Sequence, residues 1–211
     1  MMQVARKKAR CKVLGPGERA VIWFHGCSRR CPGCIAETMN AAAQYETVSP
    51  EQLADWVLTT ARRGSKGIGG ITLSGGDPFF QPANELAEFL NRVKEDSTLS
   101  VLCYTGYTLE ELQADVERST VLPYIDVLVD GQYVQELDDG QRWRGSGNQR
   151  FHFLTERYRS ESDAWYAAKE RQVEIELDLN GKLFLSGVPS KDFIAKLAAE
   201  LHRRDVDVDF S

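Results

Sequence analysis

The chain is 211 residues long, 42% hydrophobic and 27% charged, a balance that excludes wholesale disorder and collagen-like repeats and allows one domain plus an appendage. Its formal net charge of −5 argues against a phosphate-neutralising surface, so no nucleic-acid partner is expected. No stretch approaches the roughly 20 apolar residues of a membrane span, and the opening MMQVARKKARCKV lacks an apolar signal-peptide core, so a cytoplasmic protein with no membrane partner is expected.

Lys12-Val13-Leu14 precedes a Gly15-Pro16-Gly17 turn signal, and the uncharged run Ala20 to Phe24, rich in β-branched and aromatic residues, reads as a strand. It leads through His25 and Gly26 into a cluster of cysteines. Ser49 as N-cap, Pro50 at the first helical position and Gln52 at the capping-box position start a helix that runs to Arg63. Ile71 to Ser74 is a short buried strand ending in Gly75-Gly76-Asp77-Pro78. A helix over Asn84 to Val93, a strand over Leu99 to Tyr104, a helix capped by Thr108 with Glu111 three residues on, and a strand over Ile125 to Val129 continue the alternation. Strands alternating with helices predict an α/β fold with a parallel sheet, whose ligands gather at the carboxyl ends of the strands. His25 to Cys34, Gly75 to Pro78, Tyr104 to Thr108 and Asp130-Gly131 would all lie on that rim.

The texture changes after about Tyr158. Ser160 to Gln172 reads as a polar linker or exposed helix, and Val173 to Leu179 alternates apolar with acidic residues. Asn180-Gly181 is a hairpin turn signal, Lys182 to Leu185 the returning strand, and Ser190 can cap a last helix with Phe193, Ile194, Leu197, Ala198 and Leu201 on one face. The expected division is a core over 1–159 and a hairpin-plus-helix appendage over 160–211. About 50 residues are marginal as an independent domain, so the appendage should pack on the core or on a partner, docking to a partner being preferred.

Five cysteines stand at positions 11, 27, 31, 34 and 103. That odd, crowded set in a reducing compartment reads as a metal or redox site rather than a disulfide framework. Cys27-Ser28-Arg29-Arg30-Cys31-Pro32-Gly33-Cys34 places three thiols in a C-x3-C-x2-C array. Iron–sulfur cubanes usually take four thiolates, so three would leave one iron open to an exogenous molecule. A zinc site completed by His25 or a distant ligand is the alternative reading. In Gly75-Gly76-Asp77-Pro78, two glycines let backbone approach a ligand closely and the acid could hold a cationic amine; a plain strand-to-helix turn would need the same residues. Cys103 and Cys11 read as core thiols, and the basic run Arg6, Lys7, Lys8 and Arg10 as a solvated face or a contact for an acidic partner. Asp126 and Asp130 flank their strand as exposed boundary residues often do.

The cysteine array resembles that of the radical S-adenosylmethionine (SAM) superfamily, and Gly75 to Pro78 resembles its Gly-Gly-Glu-Pro segment with Asp77 in place of Glu. Cys31-Pro32-Gly33-Cys34, Tyr104-Thr105-Gly106-Tyr107-Thr108, Asp126 to Gly131 and Arg144 to Arg150 look like the activating proteins of anaerobic ribonucleotide reductases. The resemblance covers about Gly15 to Arg150. It implies a partial parallel (β/α) barrel with a small C-terminal α+β appendage, a [4Fe-4S] cluster on Cys27, Cys31 and Cys34, and S-adenosyl-L-methionine held near Gly75, Gly76, Asp77, Pro78, Thr105 and Asn148. It also implies reductive cleavage of SAM, a glycyl radical enzyme as protein substrate, and a flavodoxin or ferredoxin-type electron donor. A radical SAM reaction on a peptide or small molecule would share the cluster features, and a non-catalytic zinc-binding interaction module would share the cysteines alone.

Overall fold

The computed structural model describes residues 1–37, 39, 45–63, 67–177, 179, 183–190 and 192–204. Seven strands form one sheet in the order β3-β1-β2-β4-β5-β6-β7. They are β1 (Met2–Cys11), β2 (Arg19–Phe24), β3 (Glu46–Val48), β4 (Gly70–Gly75), β5 (Ser100–Tyr104), β6 (Val127–Asp130) and β7 (Arg150–Phe153). The four central strands β2, β4, β5 and β6 are parallel, as the alternation predicts, but β1, β3 and β7 add antiparallel edges. The sheet is therefore mixed. The short Gly-Pro-Gly stretch between β1 and β2 is the reason on one side, since a tight connection can only return antiparallel while parallel pairing needs a crossover.

Register makes the core. Ile22, Leu73, Cys103 and Leu128 are successive partners across the parallel strands, and all four are fully buried on one face. Two helices cover that face, α1 (Pro50–Arg62) with Leu53 and Val57 and α2 (Ala83–Glu95) with Leu86, Phe89, Leu90 and Val93. The predicted capping boxes are present. Ser49 Oγ accepts from Gln52 N–H while Gln52 Oε1 accepts from Ser49 N–H, and Thr108 and Glu111 do the same at the start of α3 (Leu109–Ala114), which runs into the short α4 (Val116–Ser119).

The opposite face is covered by loops and a short helix. Val13 and Leu14 close over Val21 and Trp23, while Trp143 and Trp165 close over Leu102, Val127, Val129 and Phe151. Trp165 lies in α5 (Ser162–Ala167), within the stretch read as a polar linker or exposed helix, yet it is only 2% exposed and its ring meets Trp143, Phe151, Phe153 and Tyr158 at centroid distances of 4.5 to 5.7 Å. Polar neighbours hid one large aromatic that belongs to the sheet. Arg171 extends the same attachment, binding Asp138 and the carbonyls of Gln141, Arg144 and Gly145. Residues up to about 172 thus pack with the sheet, beyond the expected boundary at 159.

The remainder is the antiparallel pair β8 (Val173–Leu177) and β9 (Leu183–Gly187) followed by α6 (Phe193–His202). The Asn180-Gly181 turn lies outside the described residues. The last helix starts beyond the expected cap, with Ser190 contributing its carbonyl to Phe193 N–H at 2.9 Å instead of a side-chain cap. The hairpin meets the core through charge. Arg6 pairs with Glu176 at 2.7 Å, Lys8 with Glu174 at 2.6 Å and Glu176 at 3.2 Å, and the Arg6 guanidinium lies 3.5 Å from the Phe184 ring centroid. Arg6 and Lys8 of the basic run therefore meet the chain's own acidic strand rather than forming a solvated face, and Lys8 is buried against it. Among the described residues no helix is long and apolar enough to cross a membrane.

Candidate iron–sulfur site

The four rim loops expected from the sequence meet at the carboxyl ends of the parallel strands, stitched by backbone hydrogen bonds. Gly76 N–H donates to Phe24 O and Asp77 N–H to Gly26 O, both at 2.8 Å, which holds the glycine loop against the entry to the cysteine loop. Thr105 N–H donates to Val129 O at 2.9 Å and Gly131 N–H to Tyr107 O at 3.0 Å. Gly75 has φ of 102°, and a Cβ there would fall on the Phe24 backbone, so this position needs glycine for packing alone.

Cys27, Cys31 and Cys34 are half-buried free thiols on the loop after β2. Positive φ at Gly26, Arg30 and Gly33 coils that loop. Burial pushes the Cys27 and Cys34 thiols up, partly offset at Cys27 by Arg29 N–H, which donates to Sγ at 3.4 Å. Three sulfurs on one coiled loop, one already accepting a backbone N–H, form a donor set suited to an iron–sulfur cubane, whose thiolates each take a different iron. Among the described residues no three His, Cys, Asp or Glu side chains converge as they would on a single ion. His25, named for the zinc alternative, places Nδ1 2.9 Å from Met39 O and stacks on Tyr45. Cys11 and Cys103 are core thiols as expected, 1% and 0% exposed.

Asp77 is 1% exposed and its carboxylate is occupied by protein. It accepts from Phe79 N–H at 2.9 Å, Thr105 Oγ1–H at 2.9 Å and Gly106 N–H at 2.8 Å. Burial pushes its pKa up to about 6 against those donors. The carboxylate thus braces two rim loops, and Pro78 starts the single turn Pro78–Phe80 that Asp77 caps. Thr105 is drawn into the same contact. Asn148 is exposed and its amide donates to Gln132 O at 2.8 Å, bracing the loop after β6.

Asp126 and Asp130 are buried, 5% and 0% exposed, and not boundary residues in solvent. Asp126 accepts from Lys94 Nζ at 2.6 Å and from Val101 N–H and Thr155 Oγ1–H at 2.7 Å, locking strand starts at the end of the sheet opposite the rim. At the rim end, Asp130 accepts from Leu109 N–H at 2.7 Å and Arg150 Nη2 at 2.6 Å, with His152 Nε2 2.9 Å away. Burial pushes its carboxyl up, yet His152, Arg150 and the Leu109 N–H together hold it below the usual carboxylate range.

Sequence reasoning passed over Arg29 and Tyr107 as individuals. Arg29 pairs with Glu111 at 2.6 Å, its guanidinium lies 4.1 Å from the Tyr107 ring centroid, and Tyr107 Oη lies 3.1 Å from Ser28 Oγ. A Cβ on Gly106 would come within 2.7 Å of Arg29 Cγ, so the glycine makes room for this clasp between the cysteine loop and the loop after β5. The one available signal was the place of Arg29 inside the cysteine array.

The fold and the thiol loop define an α/β iron–sulfur protein, and residues 13–152 match the model of the 4Fe-4S single cluster domain. Similar proteins are the anaerobic ribonucleoside-triphosphate reductase-activating proteins of Vibrio cholerae, 40% identical over 68% of this chain and 92% of that protein, and of Escherichia coli K12, 34% identical over 67% and 92%. The protein of the same name from Enterobacteria phage T4 is 36% identical over 65% of this chain and 85% of its own length. The chain belongs to this family of activating proteins, which sets the iron–sulfur reading of the cysteine loop above the zinc alternative.

Proposed function

We propose that this chain is the radical SAM activase of an anaerobic ribonucleoside-triphosphate reductase, with Cys27, Cys31 and Cys34 as the protein ligands of its [4Fe-4S] cluster. When bound, cluster and S-adenosyl-L-methionine together supply a one-electron cleavage that yields methionine and a 5′-deoxyadenosyl radical, which takes a hydrogen atom from a glycine of the partner enzyme. The protein's own part is to hold and orient. Its thiols anchor the cluster on a loop coiled by Gly26, Arg30 and Gly33. The Gly75-Gly76 backbone, drawn against Phe24 and Gly26, offers the close approach that the methionyl group requires, while Asp77 keeps Thr105 and Gly106 in place beside it. Asn148 braces the rim loop nearby.

The observation that carries this reading is the adjacency of the three-thiol loop and the glycine loop at one end of the parallel strands, in a chain of this family. On this reading the parallel strands belong to a partial (β/α) barrel, the electron donor is a flavodoxin or ferredoxin-type protein, and the protein works in the cytoplasm. Anaerobic reconstitution with SAM, dithionite and the cognate reductase tests the proposal: 5′-deoxyadenosine and a glycyl radical signal on the reductase are expected. A reconstituted cluster that cleaves no SAM overturns it.

A further inference from the structure

Arg29 stands inside the cysteine array, yet its side chain leaves that array for the loop after β5. Its Nη2 meets Glu111 Oε2 at 2.6 Å, the same oxygen that accepts Thr108 N–H at 2.7 Å, so the pair is anchored to the capping box of α3. Its guanidinium lies 4.1 Å from the Tyr107 ring centroid, and the guanidinium of Arg118, whose Nε donates to Phe79 O at 3.1 Å, lies 4.9 Å from the same centroid. The Arg29 side chain is only 18% exposed and, among the described residues, its Nε is buried with no acceptor. A buried donor without a partner is unfavourable, so the ion pair and the ring keep the side chain in place. The main chain of the same residue bonds a sulfur: Arg29 N–H donates to Cys27 Sγ at 3.4 Å, and Arg30 follows with φ of 47°. One residue therefore joins a thiol of the cysteine loop to the start of α3.

We infer that Arg29 is a positioning residue for Cys27: its side-chain clasp holds the cysteine loop closed in the cluster-free chain and keeps its own N–H on Cys27 Sγ, which makes the loaded cluster easier to reduce. The inference rests on the proposed activase reading. The loop turns on Gly26, Arg30 and Gly33, all at positive φ, and a tether outside the loop fixes the direction of the N–H between them. A hydrogen bond to a ligand sulfur draws electron density from it and favours the reduced, more negative cluster.

The test uses full-length Arg29→Ala and Glu111→Gln proteins, cluster-free and after anaerobic reconstitution. Gln at position 111 keeps a capping acceptor for Thr108 N–H and removes only the charge. In the cluster-free proteins, amide exchange across residues 28–34 and alkylation of Cys27 by iodoacetamide are measured; in the reconstituted ones, the midpoint potential of the cluster without SAM. Arg29→Ala should speed exchange and alkylation by about three- to thirtyfold, the combined worth of an exposed ion pair and a cation–π contact, with the urea midpoint unchanged. It should also lower the ratio of reduced to oxidised cluster at a fixed potential by about three- to tenfold, the worth of one hydrogen bond. Glu111→Gln should move exchange, alkylation and potential in the same directions by less. Charge alone would shift the two potentials oppositely, since one variant removes a cation and the other an anion. Unchanged exchange and alkylation in both variants overturns the clasp, and potentials that are unchanged or move oppositely overturn its action through Cys27. A wild-type cluster that cleaves no SAM overturns the activase reading alone, because loop exchange and potential still judge the clasp.

Discussion

Thr105 Oγ1 donates a hydrogen bond to the Asp77 carboxylate at 2.9 Å, across two loops that follow different strands. This contact lets Asp77 hold two rim loops together. Asp77→Ala leaves the Thr105 hydroxyl and the Gly106 and Phe79 N–H groups without their buried partner, at a cost of about 1–3 kcal/mol. Urea unfolding should show that loss, and the KM for SAM should rise more than kcat falls. A fully stable Asp77→Ala protein with unchanged KM would show that the contact does not position the rim.

Replacing Cys27, Cys31 or Cys34 by Ala should abolish both the brown colour and the roughly four irons per chain expected of one cubane, and with them SAM cleavage. Cys11→Ala and Cys103→Ala remove buried thiols from apolar packing and should keep iron and activity at a modest loss of stability. Iron and sulfide analysis after anaerobic reconstitution decides the assignment, and a normal cluster in any of the first three variants would refute it.

Asp130 gives a pH dependence of defined sign. Its carboxyl is depressed in the folded protein, so its stabilising contribution is present above the unfolded value of about 3.9 and is lost as pH falls through the lower folded value. Asp130→Asn should therefore destabilise the protein near neutrality by about 1.5–3 kcal/mol, the range for hydrogen bonds to charged groups. The gap from wild type should narrow as pH falls below about 4. Thermal unfolding at several pH values measures it, and a gap that widens in acid would contradict the assignment.

Truncation distinguishes the two candidate boundaries. A chain ending at Tyr158 loses Trp165 and uncovers Trp143 and Phe151; loss of a buried tryptophan alone typically costs about 3–5 kcal/mol. A chain ending at Gln172 keeps that aromatic cluster and gives up only the hairpin and last helix. The first should unfold at markedly lower temperature or fail to fold, while the second should remain folded and assemble its cluster. Equal stability of the two would restore the boundary to residue 159.

The hairpin's attachment should respond to salt. The Lys8–Glu174 and Arg6–Glu176 pairs join it to β1, and partly exposed pairs weaken with ionic strength. Glu174→Gln with Glu176→Gln should raise amide exchange in β8 and β9 while leaving the central strands unchanged, as should high salt in the wild type. Protection that is insensitive to both would show that apolar contacts hold the hairpin instead.

What the sequence by itself determined is what lies within a few residues of itself. The capping boxes at Ser49 and Thr108, the apolar runs of the four parallel strands and the spacing of Cys27, Cys31 and Cys34 are local signals, and they were legible because each depends on neighbours along the chain. Strand β1 was not legible, since its alternating Arg6, Lys8 and Arg10 carry charge where a strand inside a sheet would ordinarily show apolar residues. Only the pairing of Arg6 with Glu176 and of Lys8 with Glu174, more than 160 positions away, lets Lys8 be buried there. The same holds for Asp77, whose partners sit on the next strand's loop, for Asp130, buried by Arg150 and His152 from an antiparallel neighbour, and for Trp165, claimed by aromatics from three segments. Register and edge order brought those groups together, and free energies of burial and pairing that depend on contacts between distant segments are not written in local periodicity.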